Sequence, residues 1–407
     1  DDILGKNNVK KASGRIGLLL LATVLTFSVL FPVEAHAAAS FSDIKGHWAQ
    51  PYIERAVKQG FIKGYPGGKF EPDKRVTRAE FVSMINRALG NSGTARIAFS
   101  DVRYSEWYYS DVAKAVGAAF AAGFNDATFK PNQSITRQEA SVMISKVIPT
   151  YGYSGKLRTF SDYRSISDWA YTSMSKVNGK GYMTGYSDGK IHPLDSLTRA
   201  QAAKIIGDII ENETIVSTDP IVKKDGTKLS GKIYSNNVSI HRDLSNGSAT
   251  VDNCVILGNL NVLGGGIDTV TINNSRVVNA SVNRSASPVR LLVKGETSIL
   301  NTTGEDEFIL QTASLAGGSY GLGFERISVS GSATAILRGN FPYVSVDGNY
   351  AKVKLETGTV NDLLISADGR RSDITAESGA TIKSATVRAE SYFHGKGTIS
   401  DMKEHNL

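Results

Sequence analysis

The sequence holds one cysteine among its 407 residues, Cys254. That excludes an internal disulfide framework, a multi-cysteine zinc site and a Cys-x-x-Cys redox pair. Cys254 itself reads as a small buried apolar residue. Histidine is also scarce, with six scattered copies, so no metal site and no cofactor is expected. Charge of one sign is nearly balanced by the other. The 46 Lys and Arg against 39 Asp and Glu leave +7, too small an excess to point to nucleic acid. Any anion recognised by this chain must therefore be met by a local site. The 40 glycines and 10 prolines imply many turns but follow no collagen period. No Gly-Lys-Ser/Thr follows Gly264-Gly265-Gly266, which excludes a phosphate loop. Long apolar runs are absent apart from the 16 residues Ile16 to Phe31, fewer than the roughly 20 a membrane span needs.

That one run has a clear context. Lys6, Lys10, Lys11 and Arg15 precede it, and Pro32 and Ala35-His36-Ala37 follow. A basic start, a short apolar middle and a small-x-small site describe a secretory signal peptide over 1–37, cut at or just after Ala37. The expected mature protein lies outside the cell with no membrane anchor of its own. Its composition, 41% hydrophobic and 21% charged, is that of folded globular protein, and its length suits two to four domains.

Internal repetition organises the first half. Phe-Ser-Asp occurs at 41–43, 99–101 and 160–162, followed by Trp48, Trp107 and Trp169. A turn comes next at Gly64-Tyr65, Gly123-Phe124 and Gly185-Tyr186, then Pro72, Pro131 and Pro193. Thr-Arg opens the last element at Thr77-Arg78, Thr136-Arg137 and Thr198-Arg199. The units span 38–92, 93–155 and 156–212. Each reads as helix, loop, helix: Ile53 and Ala56 face Phe81, Met84, Ile85 and Leu89 at helical spacing. One such pair buries too little apolar surface to stand alone, so three pairs are expected to share a core with pseudo-threefold order.

The repeated polar residues carry the chemistry. Thr77/Glu80, Thr136/Glu139 and Thr198/Gln201 have the spacing of a capping box. Capping leaves Arg78, Arg137 and Arg199 unexplained, because a cation in the first helical turn opposes the helix dipole. An anion bound at that helix end would account for them, with Arg supplying a planar fork for carboxylate or phosphate. Asp43, Asp101 and Asp162 are expected to cap the first helices; holding an Arg or accepting sugar hydroxyls are alternatives. Trp48, Trp107 and Trp169 fit either the core or a platform for a sugar ring. Gly64, Gly123 and Gly185 are expected to supply positive φ at helix C-termini.

These residues make the three units resemble S-layer homology (SLH) domains, through Phe41-Ser42-Asp43…Trp48…Gly64-Tyr65…Phe70…Pro72…Thr77-Arg78-Ala79-Glu80 and the two later copies. The resemblance implies a three-pronged helical spindle with grooves between prongs. It also implies binding to a secondary cell-wall polysaccharide of a Gram-positive-type envelope, often ending in pyruvylated N-acetylmannosamine. By the same resemblance Arg78, Arg137 and Arg199 are the anion-binding residues. The Asp, Trp and Gly positions named above become groove candidates. The second unit departs in Phe124-Asn125 and Gln138, and the third in Gln201.

After a short linker over 213–220 the helical stripe disappears. Short alternating runs such as Val238–Ile240, Val270–Ile272 and Val344–Val346 follow, divided by Gly, Asn and Asp. Thr250-Val251-Asp252-Asn253 and Thr271-Ile272-Asn273-Asn274 lie 21 residues apart, as do Gly358 and Gly379. A rung of that length suits a right-handed parallel β-helix over 221–407, with a sandwich or β-roll array as the rival fold. Asn253, Asn273 and Asn274 read as ladders inside turns. Glu305-Asp306-Glu307 reads as a solvated loop, and Asp362, Asp368 and Asp373 are scattered. No nucleophile–base pair can be argued from spacing. The expected fold is thus multidomain, an all-α pseudo-threefold trimer followed by an all-β region. The expected function is a non-enzymatic surface protein, held by the wall polysaccharide and displaying its β-rich half. A wall-tethered polysaccharide lyase or hydrolase and an S-layer lattice subunit are the alternatives.

Overall fold

A computed structural model describes residues 41–267, 270–285, 287–316 and 322–405. The expected signal peptide over 1–37 lies outside the described residues. Among these residues six α-helices come first: α1 (Gln50–Lys58), α2 (Arg78–Leu89), α3 (Tyr109–Gly117), α4 (Arg137–Ser145), α5 (Asp168–Gly179) and α6 (Arg199–Asn212). The Thr residues act as expected. Thr77, Thr136 and Thr198 each cap a second helix, and Glu80, Glu139 and Gln201 complete the three capping boxes. Buried Ile53, Ala56, Phe81 and Ile85 join one core with Val112, Ile144, Met174 and Ile206.

The three units close on each other in a circle. Helix α3 of the second unit packs on α2 of the first, α5 of the third on α4 of the second, and α1 of the first on α6 of the third. At the centre lies a triangle of backbone hydrogen bonds between units. Val76 N–H donates to Leu197 O, Leu197 N–H to Ile135 O, and Ile135 N–H to Val76 O, at 2.9, 3.0 and 2.9 Å. All three side chains are fully buried. Each residue precedes the capping Thr of its unit, so the motif that starts a helix also places one corner of the ring.

Beyond α6 the described residues form nineteen strands in one continuous parallel arrangement, a right-handed β-solenoid of about nine turns over 214–404. Successive rungs stack like on like: Val238, Leu260, Ala280, Thr302 and Ile327 fall in one inward column. Thr250 and Thr271 are register partners, as their 21-residue spacing implied. Rung length is not constant, however. Thr381 pairs with Thr398 and Glu307 with Thr334, offsets of 17 and 27 residues. Thr359 accordingly meets Thr381 rather than the position 21 residues on. Asn253 and Asn274 sit in left-handed turns at φ 50°, and the Asn273 amide donates to Asp252 Oδ1 at 2.9 Å. Cys254 is buried, and burial pushes its thiol pKa up.

The segment expected as a linker is a fixed joint. Thr214–Val216 is already a strand, paired with Lys232–Tyr234, because Ile215 and Val216 complete the first rung. Ile233, Val255 and Leu257 of the solenoid belong to the helical core. Ser235 donates to Leu89 O, and Arg276 donates to Ala119 O at 2.8 Å and Lys146 O at 3.2 Å. The Lys176–Glu296 ion pair at 2.5 Å adds a further tie. Helices and solenoid form one compact unit. Among the described residues no helix is long and apolar enough to cross a membrane.

Candidate glycan-binding grooves

Each arginine at the start of a second helix reaches into the loop of the next unit. Arg78 Nε and Nη2 donate to Phe129 O and Ala122 O at 3.0 and 3.2 Å. Arg137 does the same to Ile191 O and Thr184 O at 2.9 and 2.6 Å. Arg199 closes the circle on Phe70 O and Lys63 O at 2.9 and 2.7 Å. All three are buried. Burial pushes the guanidinium pKa of Arg78 and of Arg137 down, so the surroundings undercompensate these charges.

The helix ends themselves are not open to an anion. Arg78 N–H and Ala79 N–H donate to Gln133 O and Pro131 O, and the same pair of bonds recurs at Arg137 and Gln138 and at Arg199 and Ala200. The third amide is taken by the capping Thr. An anion at these helix ends, as expected from the sequence, would thus find none of these three amides free. Neighbouring carbonyls saturate them, and those carbonyls also soften the clash between Arg and the helix dipole.

The aspartates neither cap the first helices nor touch the arginines. Asp43 accepts from Phe70 N–H and Glu71 N–H at 2.9 and 2.8 Å. Asp101 accepts from Phe129 and Lys130 at 2.8 and 2.7 Å, and Asp162 from Ile191 and His192 at 2.9 and 2.8 Å. Burial raises the Asp43 pKa, but the two amides and Lys69 outweigh it and hold the carboxyl below its ordinary range. Each Asp thus grips the amide of the residue whose carbonyl the preceding unit's Arg takes. The glycines are also reassigned. Gly64, Gly123 and Gly185 do not have positive φ. A Cβ on them would sit 2.0, 2.2 and 2.2 Å from the rings of Phe41, Phe99 and Phe160. The ring of the Phe in Phe-Ser-Asp lies against the glycine of its own unit, which couples those two parts of the repeat.

What remains of each Arg is Nη1, and the three copies differ there. Arg199 Nη1 stands 3.9 Å from Glu80 Oε1, which also accepts from the Tyr65 hydroxyl at 2.9 Å. Arg78 Nη1 stands 3.6 Å from Glu139 Oε1, with its guanidinium 4.7 Å from the centre of the Phe124 ring. Arg137 Nη1 meets the Tyr186 hydroxyl at 3.1 Å, and Gln201 occupies the place of the glutamate. Gln201 Oε1 accepts Thr198 N–H, so its Nε2 donates to Tyr186 at 2.9 Å. With two donors aimed at its oxygen, the Tyr186 hydroxyl has its proton free to point into the groove.

That groove holds a cavity of about 210 Å³ lined by Trp48, Arg137, Gly185, Tyr186, Gln201 and Lys204. Trp48 comes from the first unit, Arg137 from the second and Gly185 from the third, so one groove needs all three. Trp48, Trp107 and Trp169 are 54%, 59% and 60% exposed, which removes them from the core. Sequence reasoning missed Tyr186 and Lys204 as groove residues. The turn motif held Tyr186 in view but gave no sign that it faces another unit's arginine.

Residues 40–82, 98–141 and 159–203 match the S-layer homology domain. The chain is 36% identical over 180 residues to an amylopullulanase of Thermoanaerobacterium thermosulfurigenes, covering 42% of this chain and 10% of that protein. It is 32% identical over 161 residues to a cellulosome-anchoring protein of Acetivibrio thermocellus, covering 37% and 35%. It is 30% identical over 220 residues to the surface-layer 125 kDa protein of Lysinibacillus sphaericus, covering 53% and 18%. The aligned stretch is thus a third or less of most of these relatives. The chain carries three S-layer homology domains joined to a parallel β-solenoid, and it is a cell-surface protein.

Proposed function

We propose that the helical trimer anchors the chain non-covalently to a secondary cell-wall polysaccharide with a pyruvylated amino sugar, and that the solenoid is displayed outward without enzymatic activity. The observation that carries this reading is the Arg137 groove. It offers Arg137 Nη1 and the freed Tyr186 proton as donors, with the Lys204 ammonium, itself paired with Asp208 at 2.6 Å, and an exposed indole beside them. A pyruvate carboxylate matches the donors and the sugar's C–H face matches Trp48. The Arg78 and Arg199 grooves have a glutamate beside the same nitrogen, which an incoming anion must oppose. Arg137 is thus the principal anion-binding residue, and the other two serve mainly to lock units together. The names of the relatives agree with anchoring, since one is a cellulosome-anchoring protein and another a surface-layer protein.

Calorimetry of the full chain with purified wall polymer tests this. Gln201→Glu keeps the cap, as Glu does in the other units, but places a carboxylate beside Arg137. It should weaken binding roughly 10-fold, about 1.4 kcal/mol, and chemical removal of pyruvate from the polymer should cause a comparable loss. Unchanged affinity in Gln201→Glu would place the anion elsewhere.

A further inference from the structure

Several charged side chains on the solenoid are paired with each other. Arg338, Glu356, Lys354 and Glu377 form a chain of contacts at 2.7, 3.3 and 3.2 Å, and His394 meets Asp373 at 3.3 Å. One hollow differs. Tyr343, Asp362, Leu364, Ser384, Thr386 and Arg388 line a cavity of about 250 Å³. Tyr343 is the register partner of Asp362, Asp362 of Ser384, and Leu364 of Thr386. The hollow therefore crosses three rungs, at a strand spacing of about 4.8 Å.

Among the described residues, the side chains of Tyr343, Asp362, Ser384, Thr386 and Arg388 make no hydrogen bond or ion pair. Asp362 and Arg388 share the hollow without closing on each other. Their backbones are fixed by the ladder while the side chains are exposed: Asp362 lies in the strand Lys352–Ile365, and Arg388 N–H donates to Ile365 O at 3.0 Å. The set combines a planar cationic fork, a carboxylate acceptor, two hydroxyls and a half-buried aromatic ring on a rigid support. The fork fits a carboxylate, the Asp fits vicinal hydroxyls, and the ring fits the C–H face of a pyranose.

We propose that this hollow binds a linear acidic polysaccharide, a chain of uronic acid residues lying along the solenoid axis and meeting successive rungs. It is a second glycan site, separate from the wall-anchoring grooves, and would let one molecule hold two polysaccharides at once. The test is calorimetry of the full chain with hexagalacturonate as the probe. Arg388→Ala and Tyr343→Ala should each weaken binding about 10-fold or more. The carboxyl-reduced hexamer should lose as much as Arg388→Ala does. Lys352→Ala, on a different face, should bind like wild type. The proposal is overturned if the probe does not bind, or if it binds wild type and the Arg388→Ala/Tyr343→Ala double variant equally. Loss of probe binding in Trp48→Ala with none in Arg388→Ala would put the probe in a helical groove and overturn it as well. The wall polymer and Gln201→Glu test the anchoring reading, so the two ideas fail separately.

Discussion

The helical half and the solenoid close their cores by opposite rules. In the helices every unit depends on both others: the triangle through Val76, Ile135 and Leu197 has no free corner, and each Arg supports a loop it does not belong to. In the solenoid a rung meets only the rung before and the rung after, as stacked repeats do. A defect in the first region should therefore be felt around the whole circle, and a defect in the second should stay local. The candidate sites follow the same division. A groove assembled from three units makes one precise site, whereas a stack of rungs makes a long surface that can be varied piece by piece.

The largest effect expected comes from breaking the circle. Arg199→Ala removes two hydrogen bonds and leaves the Phe70 and Lys63 carbonyls without this partner. At about 1–3 kcal/mol for each unsatisfied group, the loss is roughly 2–6 kcal/mol, read by chemical denaturation. Ile382→Ala is the matching break in the solenoid. Ile382 is buried in an inward column against Val360 and Ile399, and such a truncation costs about 2–5 kcal/mol. Amide exchange should rise in the neighbouring rungs and stay unchanged in the helices. Gly64→Ala sharpens the comparison within one unit. Its methyl would meet the Phe41 ring and Lys69 O, an overpacking cost of about 1–3 kcal/mol. Gly379→Ala has open space around it and is strained only by its φ of 85°, so it should cost less.

The smallest effect concerns acid. The Asp43 carboxyl is held below its ordinary pKa by the Phe70 and Glu71 amides despite its burial. A lowered folded pKa means that its contribution is present above the unfolded value of about 3.9. It is lost as pH falls through the lower folded value. Denaturation midpoints of wild type and Asp43→Asn should therefore differ most above about pH 4 and converge below it.

Much of this architecture was legible in the sequence, and the missing part has a physical reason. Capping boxes and helical stripes are local, so Thr77, Glu80, Phe81 and Ile85 declared themselves. Like-on-like stacking repeats at a readable period, so Thr250 and Thr271 did too. The recurrence of Arg78, Arg137 and Arg199 was visible, but their main partners are backbone carbonyls 44 to 136 residues away, and a carbonyl carries no residue signature. Asp43 and Gly64 were misassigned for the same cause, since a backbone amide and a ring edge from elsewhere in the chain decide their roles. The joint at 214–216 was hidden because three apolar or β-branched residues are too few to read as a strand.

Hydrogen exchange across the whole chain in Arg199→Ala tests the circular closure most directly. Exchange should be faster in the first unit's loop around 61–71 and, with it, in the second helices of all three units, while rungs beyond residue 334 exchange as in wild type. Faster exchange confined to the third unit, with the first unit's loop unaffected, would contradict it.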